Sequence, residues 1–138
     1  MKKVYCKYFP VKPFIAMLVF FWVIVREDSL ELFDEVAENH ERIHFWQLIG
    51  CTVLGFLALV VLSILGIIPG WSLLLAPATY YFLYGLFWLI ALVVPPYDAA
   101  YISIPFEVEA YENEMDLSYC SFIPPMFSWI KYVKRIKK

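Results

Sequence analysis

From Phe45 to Tyr97 the chain runs for 53 residues without one Asp, Glu, Lys or Arg. All 11 basic and 13 acidic residues of the 138-residue protein therefore lie in the two flanking arms. An ordinary soluble domain carries about 25% charged residues, spread along its length. This chain is 17% charged and 62% hydrophobic, and its arms alone have the charge density of water-exposed protein. The distribution excludes a simple soluble globule and a disordered chain. It leaves a membrane protein with an apolar middle and two polar arms.

A membrane-spanning helix needs about 20 predominantly apolar residues. The run has room for two spans and a turn, not three. Pro and Gly punctuate helices, so the turn falls at Ile68-Pro69-Gly70-Trp71. The first span is predicted over residues 46–68 and the second over 72–94, stopping at Pro95-Pro96. Pro77 lies inside the second span, so that helix kinks or begins late. The resulting tight hairpin returns the chain to the side it left. Lys2, Lys3, Lys7 and Lys12 in one arm and Lys131, Lys134, Arg135, Lys137 and Lys138 in the other place both arms in the cytoplasm. Gly50, Gly55 and Gly66 do not form a small-xxx-small motif, so no dimer is read from them.

Phe14 to Val25 is a third apolar run, bounded by Pro13 and Arg26 and too short to span. Its β-branched and aromatic residues suit one or two short strands, with an interfacial segment as the alternative. Cys6, Cys51 and Cys120 are an odd, scattered set that reads as free thiols.

The only two histidines fall in His40-Glu41-Arg42-Ile43-His44, an H-E-x-x-H pattern. On a helix, positions i and i+4 share one face. Both imidazoles can then reach one zinc ion, with Glu41 beside them to take a proton from the attacking water. Asp28 with Glu31 forms a capping-box pair for a helix running from about residue 29 directly into the first span. Ile43 is expected to pack and Arg42 to face lipid headgroups.

Catalytic zinc usually takes three protein ligands. With no third histidine, the third ligand should be a carboxylate on the same side of the membrane. Pro105 suits the start of a helix carrying Glu107, Ala110, Tyr111 and Glu114 on one face. Glu107 is the favoured ligand and Glu109 the alternative. Glu112 and Asp116 read as solvated, and Glu114 or Asn113 as groups that orient the ligands. Tyr111 could stabilise an oxyanion, although packing is the commoner fate of an aromatic.

The stretches Asn39-His40-Glu41-Arg42-Ile43-His44 and Phe106-Glu107-Val108-Glu109-Ala110-Tyr111-Glu112-Asn113-Glu114 resemble paired motifs of a group of small, largely uncharacterised bacterial membrane proteins. Those motifs are N-H-E-[KR]-I-H and F-E-x-E-A-Y-x-N-E. The second motif is also distantly similar to the E-x-x-A-D or E-x-x-C-D element of membrane gluzincin metallopeptidases. There the first Glu is the third zinc ligand, which maps to Glu107; Tyr111 stands where those enzymes have a supporting Asp. The resemblance implies an integral protein of the bacterial inner membrane that binds zinc and cleaves peptide bonds.

The fold expected is thus a mainly α membrane protein. It is a two-transmembrane-helix hairpin with a short N-terminal strand or interfacial segment and cytoplasmic HExxH and Glu helices. It forms one membrane domain: an arm (1–28), the HExxH helix (29–45), two spans, and a Glu helix with a basic aromatic tail (97–138). The expected function is zinc-dependent peptide hydrolysis at the cytoplasmic membrane surface, with lipid bilayer and a peptide or protein as partners. The alternative is a non-catalytic membrane interaction or assembly protein with a vestigial or structural HExxH site. The tail alternates apolar residues with cations and reads as an anionic-lipid anchor rather than a nucleic-acid site. No phosphate loop, nucleotide fingerprint or nucleophile elbow occurs.

Overall fold

The computed structural model describes residues 2–93, 100–122 and 124–137. The expected stop at Pro95-Pro96 lies outside the described residues. The chain divides into two units, Met1–Trp46 with Glu109–Pro125 and Gln47–Val108 with Met126–Lys138.

In the first unit, β1 (Lys2–Cys6), β2 (Ala16–Val19) and β3 (Trp22–Arg26) form a sheet of order β1-β3-β2. The β1 strand is parallel to β3, with Lys2 opposite Trp22; β2 is antiparallel, with Ala16 opposite Val25. The short apolar run therefore forms the two strands expected of its composition. Ala16 and Leu18 on β2, and Val23 and Val25 on β3, are buried, the period-two pattern of a sheet covered on one face. Phe20, in the β2–β3 turn, has a φ of 52°.

Helix α1 (Glu35–Ile64) is a single 30-residue helix, so the HExxH segment does continue into the first apolar stretch. Its start differs from expectation. Residues Glu27–Leu32 form a 3-10 turn in which Ser29 is non-helical. The Arg26 guanidinium takes the expected cap, binding the Asp28 carboxylate and donating to Ser29 Oγ at 2.8 Å. With Asp28 so engaged, the cap passes to Asp34, whose Oδ1 accepts the Ala37 N–H at 2.9 Å. Ile43, Ala110 and Cys120 form a buried cluster, with Trp46 and Tyr119 packed against it. Ile43 thus packs as expected.

In the second unit, α1 ends at Ile64 rather than Ile68. Gly66, with φ 71°, turns the chain, and the N–H groups of Gly66 and Ile67 cap the carbonyls of Ser63 and Leu62. This is a Schellman ending, which glycine's freedom at positive φ permits. A 3-10 turn (Gly70–Leu75) precedes α2 (Ala78–Val93), which begins just after Pro77. Among the described residues only α1 is long and apolar enough to cross a membrane. The second stretch yields a helix of 16 residues, about 24 Å long, where a hydrocarbon core is about 30 Å thick. The described residues of the expected second span, 72–93, form part of a 3-10 turn and an apolar helix that begins late, as expected of Pro77. Gly50 packs against the Met126 backbone and Gly55 against Thr79 and Ala76, so these glycines serve contacts within the chain.

Helix α3 (Pro105–Asn113) begins at Pro105 as expected. Phe106 is fully buried, its ring 4.7 Å from that of Trp129 and 5.1 Å from that of Tyr80. Trp129 belongs to the tail, a 3-10 helix over Ser128–Lys137.

Candidate metal centre

Asn39, Glu41, Ile43 and His44 are buried on α1, and His40 is partly so. The i, i+4 spacing puts the two rings on one side of the helix, with centroids 4.7 Å apart. Their Nε2 atoms face each other at 3.1 Å. Two nitrogens bonded to one tetrahedral zinc at about 2.0–2.1 Å lie about 3.3 Å apart. The pair is thus close to the spacing that a shared cation needs.

The other ring nitrogen of His40 is held as well. His40 Nδ1 is 2.8 Å from Glu114 Oε2. An ionised carboxylate only accepts, so His40 Nδ1 is the donor to Glu114, and Nε2 is the nitrogen that faces His44. Glu114 is set in place from α1 itself, because Asn39 Nδ2 donates to the carbonyls of Asn113, Glu114 and Asp116 at 3.4, 2.9 and 2.9 Å. One side-chain amide thereby binds the end of α3 and the turn after it. The Tyr111 ring lies 4.8 Å from that of His40, edge to face. Tyr111 packs on the histidine, the commoner of its two expected roles.

Glu107 is 1% exposed. Two phenols hold its carboxylate: Tyr84 donates to Oε1 at 2.6 Å and Tyr101 to the same oxygen at 2.9 Å. His40, His44 and Glu107 each offer one possible ligand atom. Two imidazoles and a carboxylate are the ligand types that zinc accepts.

Glu109, the alternative ligand, is fully buried and accepts the Tyr119 hydroxyl at 2.8 Å. Glu112 and Asp116 are exposed as expected, and Asp116 accepts the Ser118 N–H at 3.0 Å. Arg42 is half-buried, and its charge bears on Cys120. Cys6, Cys51 and Cys120 are free thiols.

The sequence reading gave no role in the site to Asn39, Tyr84, Tyr101 or Tyr119. The available signal was a hydroxyl in a charge-free segment, since a buried Tyr O–H usually finds a partner. No family model, curated protein or solved structure matches the chain.

Proposed function

We propose that this chain is a zinc-dependent integral membrane metallopeptidase-like protein acting on peptide bonds at the cytoplasmic membrane surface. The observation that carries the reading is the facing pair of Nε2 atoms in His40-Glu41-Arg42-Ile43-His44, 3.1 Å apart, with His40 oriented by Glu114. His40, His44 and Glu107 would hold the metal. A zinc ion there supplies a Lewis acid that activates water and polarises a carbonyl at neutral pH.

The chain's own residues do the rest. Glu41 accepts the proton of the attacking water and passes it to the leaving amine. Glu114 keeps His40 in the tautomer that presents Nε2. Tyr84 and Tyr101 both donate to Oε1 of Glu107, which holds the carboxylate in place. In this reading α1 crosses the bilayer, and the apolar stretch from Gly70 to Val93 brings the chain back to the same side.

Metal analysis of the purified protein tests the proposal. We expect about one zinc per chain, the stoichiometry of a single mononuclear site. His40→Ala and Glu107→Ala lose it, whereas Glu41→Gln keeps it and abolishes hydrolysis. Purification without tightly bound zinc overturns the reading.

A second reading is a non-catalytic interaction or assembly protein with a structural metal site. It is favoured by the burial of Glu41, which is 7% exposed. Under it, Glu41→Gln retains both the metal and every cellular phenotype.

A further inference from the structure

The tip of the β2–β3 hairpin is built from Phe20, Phe21 and Trp22, which are 46, 46 and 53% exposed. Three consecutive half-exposed aromatics leave apolar surface in water, which burial in an apolar phase would relieve. Two contacts fix where this tip lies along α1. Lys3 Nζ bonds Glu38 Oε2 at 2.8 Å, and the Phe21 ring meets the Phe45 ring edge to face at 6.4 Å. Glu38 and Phe45 are about 10 Å apart along the helix axis.

The sheet therefore lies beside the first turns of α1, with its charged contact toward the helix start and its aromatic tip toward Phe45. Phe45 is the residue at which the charge-free run begins. The aromatic tip is thus level with the place where α1 turns from polar to apolar. In a bilayer that level is the interface, where Trp and other amphipathic rings concentrate. The register adds a cation, because Lys2, which is exposed, pairs with Trp22 across the β1–β3 ladder. An aromatic cluster with a lysine beside it matches an acyl-chain boundary under anionic headgroups.

We propose that the hairpin tip, Phe20-Phe21-Trp22 with Lys2, is an interfacial anchor seated in the headgroup layer of an anionic bilayer on the side where α1 enters. It holds the sheet against the membrane surface, and with it the polar first turns of α1 that carry His40 and His44. The inference rests on the reading of α1 as a span.

The test uses the full-length protein in nanodiscs of phosphatidylcholine and phosphatidylglycerol, with and without phosphatidylcholine brominated near the carbonyl end of its acyl chains. Subtracting the fluorescence of Trp22→Phe from that of the wild type isolates Trp22. Trp22→Tyr serves the same subtraction if Trp22→Phe does not assemble. In the expected result bromolipid quenches the Trp22 component about twofold, as an indole at headgroup depth requires, and aqueous iodide leaves it nearly unchanged. Quenching by iodide and not by bromolipid overturns the anchor, because the tip is then in water. Quenching by neither overturns it in favour of a protein covering the tip. Trp46, Trp71, Trp88 and Trp129 remain in the Trp22→Phe variant. If bromolipid leaves that variant's fluorescence untouched, the span reading itself fails. If it quenches those tryptophans and spares Trp22, only the anchor fails.

Discussion

His40 Nδ1 and Glu114 Oε2 lie 2.8 Å apart, although 74 residues separate them in the chain. The contact joins the second turn of α1 to the residue immediately after α3. It decides which nitrogen of His40 is presented to a cation. Asn39, the preceding residue, binds three carbonyls at the same place. The turn of helix that carries the first histidine also positions the carboxylate that orients it.

Removing that carboxylate should weaken the metal site without abolishing it. For Glu114→Gln we expect zinc affinity to fall by about 10–100-fold, the usual cost of losing a ligand's hydrogen-bonded partner. Competition with a chelator of known affinity measures it. Unchanged affinity would mean that Glu114 has no part in holding His40.

The two phenols on Glu107 make a parallel prediction. Tyr84→Phe and Tyr101→Phe each remove one donor from the same carboxylate oxygen. A hydrogen bond to a charged group contributes about 1.5–3 kcal/mol. Each single variant should lower zinc affinity about tenfold or more, and the double variant should lower it further. The same chelator competition reads all three. Full zinc affinity in the double variant would remove Glu107 from the ligand set.

The glycines sort into two groups by what a side chain would meet. At Gly50 a Cβ would overlap the Met126 carbonyl. At Gly55 it would overlap Thr79 Oγ1 and sit 3.0 Å from the Ala76 carbonyl oxygen. Gly50→Ala and Gly55→Ala should each destabilise by about 1–3 kcal/mol through overpacking. Gly85 is inside α2 with nothing within 4 Å, so Gly85→Ala should stabilise by about 0.5–1 kcal/mol. Thermal melts in one detergent, compared with the wild type, check the opposite signs.

The thiol of Cys120 is pushed up from 9.0 to about 11, first by burial and then by the charges of Glu109 and Asp116, with Arg42 acting against them. A group whose folded pKa is raised stabilises the fold below its unfolded pKa. Stability should therefore decline as pH rises from 9.0 to about 11, and Cys120→Ser should flatten that decline. Alkylation gives a second readout. Iodoacetamide should label Cys120 slowly at about pH 8 and faster toward its raised pKa, because the thiolate is the nucleophile.

Several features were legible in the sequence because each is local. Helical spacing pairs His40 with His44, and Pro105 opens α3. The apolar run from Phe14 to Val25 supplies β2 and most of β3, and Pro77 delays α2. Expectations failed where a side chain had two available partners. Asp28 has the sequence context of a cap, but Arg26 binds it, and Asp34 caps α1 instead.

The sequence by itself determined the charge-free run, the long apolar helix that it forms, and the pairing of two histidines one turn apart. These follow from backbone periodicity and from the cost of leaving apolar or charged groups in the wrong solvent. Only the tertiary structure decided which groups hold the histidines and Glu107 in position. Glu114, Asn39 and Tyr84 act through hydrogen bonds between residues distant in sequence, and Tyr101 reaches Glu107 from outside α3, so no helical spacing encodes these contacts. The physical reason is directional: a hydrogen bond needs donor and acceptor aligned at about 3 Å, which packing decides and spacing along the chain does not.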